Sequence, residues 1–377
     1  MLGKLIDSDG GILQTGPFGS QLKQAEYSSD GVPVIMPTDI ENGEVNKSTV
    51  ARVPETTVER LSRHKMRAGG IVFPRRGAIT KRAFIRPEQD GWLCGTGCIK
   101  IEVNGRRLWP RYLYYYLGLK DSIEWLERNA VGSTMLNLST EIVSRFPIVC
   151  PSIPIQRRIA DILSAYDNLI ENNRRRISLL EQAARELYRE WFVRLRFPGH
   201  ESTRIFDGIP QGWERVALEH IGQLRYGRAL KAEDRIDGDY PVYGSSGVVG
   251  THNTPHVKGP GIIVGRKGNM GNVYWSDSDF CAIDTVYYMD PVAVTLFLYY
   301  TLENMDFINT DVAVPGLNRN LAHRRESLLP SVGLRDAFHK VAQSKHKQIA
   351  LLRKENSSLE YARDLLLPRL MSGEVAV

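Results

Sequence analysis

The side chains in this sequence best suited to chemistry are arginine, lysine and asparagine residues grouped around glycines in two expected loops. The first group surrounds Gly77 and the second surrounds Gly268; their members are Arg75, Arg76, Lys81, Arg82, Arg266, Lys267 and Asn269. Arginine and lysine can donate to the O6 and N7 atoms of guanine, and asparagine can pair with adenine. Glycine lets a backbone approach a phosphate closely. These residue types favour a nucleic-acid-binding surface, although arginine clusters that only face solvent have the same composition.

Three more residues of this kind lie in expected loops of the second half of the chain. Arg228 follows Gly227, and Asn318 and Arg319 follow Leu317. The whole chain carries 49 Lys plus Arg against 43 Asp plus Glu, a formal charge of +6. That excess favours a polyanionic partner such as nucleic acid.

Recognisable catalytic motifs are absent from the sequence. It contains no Gly-x-x-x-x-Gly-Lys-Ser/Thr phosphate loop, no Asn/Asp-Pro-Pro-aromatic tetrapeptide and no His-Glu-x-x-His grouping. Cys94 and Cys98 lie close together without a second pair at zinc-site spacing, and Pro255 argues against a helix that holds His252 and His256 on one face. We therefore expect a binding protein with no metal site and no catalytic residues of its own.

The chain contains an internal repeat. Residues 178–183 match residues 357–362 at an offset of 179, and Leu136-Asn137 matches Leu317-Asn318 at 181. The pair Tyr114-Tyr115 matches Tyr299-Tyr300 at 185, and Arg75-Arg76-Gly77 matches Arg266-Lys267-Gly268 at 191. The shared order and the steady drift indicate two copies of one framework, the second with shorter loops.

Each copy is predicted to consist of a strand-rich globular half, α/β or mixed α+β, followed by a long helix. The expected strands are Gly70–Pro74, Cys98–Val103, Gly261–Gly265 and Thr285–Met289, and the expected shorter helices are Tyr112–Trp125 and Thr295–Met305. The predicted borders are 1–150 and 198–329 for the globular domains, and 151–197 and 330–377 for the long helices.

The long helices carry apolar heptads. The packing positions expected from these heptads are Ile159, Tyr166, Leu180 and Leu187 in the first helix, and Phe338, Leu352, Leu359 and Leu366 in the second. A helix of about forty residues is about 60 Å long, longer than a small domain is wide. Its stripe therefore needs a partner, either the other copy's helix or, as the alternative, a second chain.

The arrangement resembles the specificity subunits of type I restriction–modification systems over essentially the whole chain. The resemblance rests on Leu136-Asn137-Leu138, the Pro-x-x-Pro-x-Gln segment at 151–156, the helix through Ile159–Leu163, and Gly208–Glu214, which is similar to the usual opening of a recognition domain. Two departures are visible. The first copy has no counterpart of Gly212-Trp213-Glu214, and residues 330–335 lack the second proline and the glutamine.

The resemblance implies two target-recognition domains that each read half of a split site in double-stranded DNA. It further implies that the two helices pack as an antiparallel coiled coil and dock two methyltransferase subunits, in a complex that also contains restriction subunits. S-adenosylmethionine, ATP and magnesium would belong to those partners, and this chain would be non-catalytic. Two alternatives stay open: a stand-alone dimeric DNA-binding regulator, or the recognition part of a self-contained DNA methyltransferase.

A cytoplasmic location is expected from the sequence. We find no N-terminal segment with the features of a secretion signal. The most apolar stretch, Val286–Leu302, is interrupted by Asp290 and Pro291 and is too short to span a bilayer. Four cysteines without a disulfide-like pattern agree with a reducing compartment.

Overall fold

The computed structural model describes residues 1–48, 50–307 and 316–377, which form two compact units. The first unit comprises Met1–Ile170 and Ser357–Val377, and the second comprises Glu171–Asn356. The unit borders fall inside the two long helices, so each unit contains one globular domain and part of both helices. The predicted borders at 150, 197 and 329 follow changes of secondary structure, whereas the units follow packing.

The first unit is built on a four-stranded and a three-stranded sheet. Its helices are α1 (Leu2–Asp9), α2 (Glu55–Arg60), α3 (Pro110–Tyr116), α4 (Lys120–Asn129), α5 (Thr140–Ser144) and the start of α6 (Ile153–Tyr188). Its strands are β1 (Ile12–Thr15), β2 (Val32–Ile35), β3 (Ile40–Glu41), β4 (Glu44–Val45), β5 (Ala51–Val53), β6 (Ile71–Pro74), β7 (Ala83–Phe84), β8 (Leu93–Cys94) and β9 (Cys98–Glu102). The larger sheet is antiparallel in the order β1-β9-β6-β7, and the smaller has the order β5-β2-β8 with β2 and β8 parallel.

The second unit repeats this plan. Its helices are the rest of α6, which ends in a π-helical turn at Arg189–Val193, then α7 (Leu218–Ile221), α8 (Leu296–Glu303), α9 (Arg319–His323) and most of α10 (Val332–Ser372). Its strands are β10 (Ile205–Phe206), β11 (Ile209–Pro210), β12 (Glu214–Ala217), β13 (Leu224–Tyr226), β14 (Tyr240–Gly244), β15 (Gly247–His252), β16 (Gly261–Gly265), β17 (Val273–Ser276), β18 (Cys281–Ala282), β19 (Val286–Met289) and β20 (Glu326–Leu329).

The two units share one sheet topology. The order β13-β19-β16-β17 reproduces β1-β9-β6-β7, and β15-β14-β18 reproduces β5-β2-β8, including the parallel pairing of β14 with β18. The expected strands are found as β6, β9, β16 and β19, and the mixed fold of two domains with a long helix between them is confirmed. Strand β16 is buried at every position, which is why it appears in the sequence as a continuous apolar run. Strand β9 is also buried throughout, although it contains Lys100 and Glu102, which pair with each other at 3.1 Å.

Two local predictions were wrong. The helix expected over Tyr112–Trp125 is divided into α3 and α4 at residues 117–119. A Cβ atom on Gly118 would lie 1.7 Å from Nη2 of Arg82, so this position accepts only glycine while Arg82 lies there. The loop expected at 317–320 is the start of α9, because Oδ1 of Asn318 accepts from the backbone N–H groups of Asn320 and Leu321.

The long helices pack on each other within each unit. In the first unit, Ile159 and Leu163 of α6 share a core with Leu370 of α10. In the second, Glu181 pairs with Arg353 at 2.8 Å. Further along, the ring of Tyr188 on α6 lies 5.8 Å from that of Phe338 on α10. Since positions advance along α6 while they retreat along α10, the helices are antiparallel there.

The expected packing positions differ in burial. Ile159, Phe338 and Leu352 are buried, whereas the other five are half-buried: Tyr166, Leu180, Leu187, Leu359 and Leu366. On α6 the most buried line instead runs through Leu163, Ile170 and Ala184.

Candidate nucleic-acid interface

One end of the larger sheet in the second unit collects the cationic residues selected from the sequence. Strand β19 is antiparallel to both β13 and β16, with Tyr226 opposite Tyr287 and Gly265 opposite Val286. The last residues of β13 and β16 therefore lie on either side of the start of β19, at the same end of the sheet. Arg228 follows the first of these strands, and Arg266 and Lys267 follow the second.

The Leu-Asn motif joins this same end of the sheet. The backbone N–H of Leu317 donates to the carbonyl of Arg266 at 2.8 Å, and the Tyr287 hydroxyl donates to the carbonyl of Leu317 at 2.9 Å. The guanidinium carbon of Arg319 lies 4.8 Å from the ring centroid of Tyr226, and that of Arg266 lies 5.0 Å from it. Two motifs about fifty residues apart in sequence thus meet at one tyrosine.

The first unit has the same arrangement. The N–H of Leu138 donates to the carbonyl of Arg75 at 2.8 Å, and the Nε of Arg75 donates to Oδ1 of Asn137 at 3.4 Å. Arg76 forms an isolated bridge with Asn137. The guanidinium carbon of Arg75 lies 5.8 Å from the ring of Phe18, which is 56% exposed. The Arg-loop and the Leu-Asn motif therefore meet in both units.

The glycines of the two arginine loops adopt left-handed backbone conformations. Gly77 has φ 74° and Gly268 has φ 76°. Because residues with a Cβ atom rarely adopt this conformation, glycine lets each chain turn sharply after its strand and expose the neighbouring basic side chains. Arg76, Lys81 and Asn269 are exposed in these loops.

Two predicted residues have partners within the protein. Lys267 pairs with the exposed Asp284 at 3.3 Å and remains at the surface. Arg82 is more deeply placed: its Nε donates to the carbonyl of Tyr114 at 2.9 Å, its guanidinium lies over the Tyr114 ring, and burial lowers its pKa. Such a side chain is not free to reach a ligand, and we leave Arg82 out of the proposed interface.

The sequence offers Tyr226 only as part of the candidate segment Tyr226-Gly227-Arg228, and the folded chain shows why the tyrosine itself matters. It is 47% exposed although it ends a strand. Its position directly before Gly227-Arg228 was the available signal, since exposed aromatic rings beside cations recur at nucleic-acid interfaces.

Positive charge at this end of the second unit also affects nearby histidines. Burial lowers the pKa of His256, and the positive charge of Arg228 lowers it further. Burial likewise lowers the pKa of His323, with a second contribution from Arg319. Both histidines are therefore held towards the neutral form while the arginines carry the charge.

Neither a metal-binding cluster nor a membrane-spanning helix occurs in residues 1–48, 50–307 and 316–377. There, no group of three or more His, Cys, Asp or Glu side chains is placed to hold a metal ion. Cys94 and Cys98 are free and buried, and burial raises the pKa of Cys94 to about 12. None of the helices in these ranges has both the length and the apolar character needed to cross a membrane.

A duplicated mixed domain that presents a basic, arginine-rich sheet end in each copy defines a protein with two polyanion-binding modules. Residues 19–182 and 210–318 match the family described as the type I restriction modification DNA specificity domain. The matched segments make up most of the chain, and the protein belongs to this family.

Individual relatives extend over both copies. The chain is 23% identical to the type I restriction enzyme MjaIX specificity subunit of Methanocaldococcus jannaschii, across 94% of this chain and 89% of that protein. It is 21% identical to the HindI specificity subunit of Haemophilus influenzae, across 78% and 83%. Its fold is similar to that of the type I restriction-modification S subunit of M. genitalium, with a TM-score of 0.57, 20% identity, and coverage of 97% and 94%.

Proposed function

We propose that this protein is the DNA-recognition subunit of a type I restriction–modification complex and that it reads a bipartite target. The observation that supports this most is the repeated geometry. In both units an arginine loop at the end of a buried strand is hydrogen-bonded to a Leu-Asn segment. Two such surfaces in one chain suit a target made of two half-sites.

The proposal extends to partners and cofactors. Two methyltransferase subunits dock on the long helices, and restriction subunits join the complex in the cytoplasm. S-adenosylmethionine, ATP and magnesium bind to those partners, and this chain contributes recognition and no catalytic group. Exposed apolar side chains on both helices, among them Leu169, Leu179, Leu351 and Leu365, offer contact area for docking.

An exchange of domains tests the proposal. Residues 199–329 are replaced by the second domain of another family member, and the chimera is co-expressed with the methyltransferase encoded alongside it. Methylation mapping should show one altered half-site and one unchanged half-site. The matched control exchanges residues 1–150 and should alter the other half. A chimera that changes both half-sites, or neither, contradicts modular recognition.

Two measurements separate the proposal from its alternatives. Co-purification with that methyltransferase is expected for a subunit and not for a stand-alone regulator. Binding of S-adenosylmethionine by the isolated chain is expected only for a self-contained methyltransferase. A chain that binds S-adenosylmethionine alone, or that purifies without the methyltransferase, overturns the assignment as a subunit.

A further inference from the structure

Two guanidinium groups lie over the ring of Tyr226 at the basic end of the second unit. The guanidinium carbons of Arg266 and Arg319 lie 5.0 Å and 4.8 Å from its ring centroid. Both cations are therefore within roughly 10 Å of each other, about a Debye length at 0.1 M salt, so each is exposed to the other's charge. Their attraction to the ring of Tyr226 limits the positions that the two side chains can take.

Neither guanidinium is neutralised by the described part of the protein. Within the described ranges, no carboxylate lies within ion-pair distance of Arg266 or Arg319; Nη1 of Arg266 donates to the backbone carbonyl of Asp284 at 3.1 Å. The buried Nε of Arg319 has no hydrogen-bond partner among these residues. The neighbouring Arg225, by contrast, pairs with Asp290 at 2.7 Å. Two adjacent cations that lack a counter-ion form a ready site for an anion.

Resting on the proposed function, we infer that Arg266 and Arg319 together bind one phosphodiester of the DNA backbone, and that Tyr226 is the residue that positions them. A phosphate can accept hydrogen bonds from two guanidiniums at once and offsets their repulsion. Bidentate reading of a guanine needs one arginine with a free pair of donors aimed into the groove. The contacts of Arg266 with the Asp284 carbonyl and the Tyr226 ring do not favour that second use.

The first unit lacks the second cation. Leu138 and Leu317 hold equivalent places, since each donates its backbone N–H to the carbonyl of the loop arginine. Two residues further on, α9 begins at Arg319, whereas α5 begins at the uncharged Thr140. Arg75 is thus the one arginine that this motif pair brings to Phe18. The two-cation phosphate site is therefore a property of the second unit, and its contribution should not depend on which bases are read.

The salt dependence of DNA binding tests the inference. The full chain, co-purified with its methyltransferase, is titrated from 50 to 300 mM salt against a duplex with the mapped target and against a scrambled duplex. Arg319→Gln should weaken binding to both duplexes by the same factor, on the order of tenfold, and should reduce the log–log salt slope by about one. The matched control Arg225→Gln, whose charge is already paired, should keep the wild-type slope.

Variants of the tyrosine test its positioning role. Tyr226→Leu changes no charge, yet it should reduce the salt slope as Arg319→Gln does. Tyr226→Phe keeps an aromatic ring and should keep the wild-type slope. In a further test, each phosphate of the target is replaced in turn by a neutral methylphosphonate. One replacement should weaken DNA binding by the wild type but leave binding by Arg319→Gln unchanged.

Three results would overturn the inference. If Arg319→Gln loses affinity for the target duplex alone and keeps the wild-type salt slope, Arg319 is a base-reading residue. Wild-type behaviour of Tyr226→Leu would remove the positioning role. Variants that bind DNA as the wild type does, in a complex that prefers the target duplex, would refute the phosphate site alone. A wild-type complex that does not prefer the target duplex would instead contradict the proposed function.

Discussion

The contact of Asp167 with Tyr115 and Arg363 is a polar link that ties the first globular domain to its parts of both long helices. The hydroxyl of Tyr115 on α3 donates to Oδ2 of Asp167 on α6, and Nη1 of Arg363 on α10 donates to its Oδ1 at 2.7 Å. The Asp167 and Arg363 side chains are 24% and 27% exposed. One carboxylate therefore joins three elements of the unit in a partly desolvated position.

We expect Asp167→Ala to destabilise the first unit by about 2–4 kcal/mol. A hydrogen bond to a charged group contributes about 1.5–3 kcal/mol, and two are lost, but partial exposure reduces the sum. Asp364 offers a matched control because it accepts from the same Arg363 at 2.8 Å while it is 64% exposed. Asp364→Ala should cost less than about 1 kcal/mol.

Native-state hydrogen exchange followed by mass spectrometry measures this effect in the unit concerned. Peptides that cover α3 should exchange faster in Asp167→Ala, while peptides from β16 in the second unit should keep their protection. In a double-mutant cycle of Tyr115→Phe and Asp167→Asn, the double variant should lose less stability than the two single variants lose in total. If Asp167→Ala exchanges no faster at α3 than Asp364→Ala, the reasoning is refuted.

Three further outcomes are expected. Burial lowers the pKa of His346 to about 4, and an unfolded histidine titrates near 6.5. Between these pH values the unfolded chain binds more protons than the folded chain. The free energy of unfolding of the second unit, measured with urea, should therefore fall by up to about 3 kcal/mol as pH falls from 6.5 to 4. Equal acid sensitivity of the His346→Gln variant would contradict this. Phe338→Ala, at a fully buried ring, should cost about 3–5 kcal/mol by the same measurement, against under about 0.5 kcal/mol for the exposed Leu365→Ala. Under native conditions a thiol reagent should label Cys150 and leave the buried Cys94 intact, as mass spectrometry of digested protein can show.

The architecture was largely predictable because its signals are local. Buried strands such as β16 appear as short apolar runs, and the heptads that mark the long helices need only their own spacing. Heptad spacing alone could not show which apolar line of α6 is the more buried. Leu163 is more buried than Tyr166 because of the residues of α10 and of the globular domain that face it. The requirement for glycine at position 118, where α3 and α4 are divided, was hidden for the same reason, because Arg82 approaches it from another part of the chain.

The interface was predictable in composition more than in arrangement. Arginine next to glycine identified Arg75 and Arg266, and the Leu-Asn repeats identified Asn318, but nothing local indicated that these segments hydrogen-bond to each other. The same limit explains why Arg82 was selected, since a half-buried arginine stacked on a tyrosine and an exposed one look alike in sequence. Tyr226 gains its importance only where Arg319 reaches it from about ninety residues further along the chain.

The placement of residues 357–377 in the first unit has a consequence for biosynthesis. Leu367, Leu370 and Met371 contribute to the same core as Leu2 and Ile6, so the first unit lacks part of its interior when its globular domain leaves the ribosome, ahead of the second unit. At roughly 5–20 residues per second, about 10–40 s separate the synthesis of residue 170 from that of residue 357. The second unit, which needs nothing beyond Asn356, can close earlier than the first although it is made later. The N-terminal domain is therefore completed last, and until then its unfilled apolar surface is open to chaperones, proteases and other nascent chains.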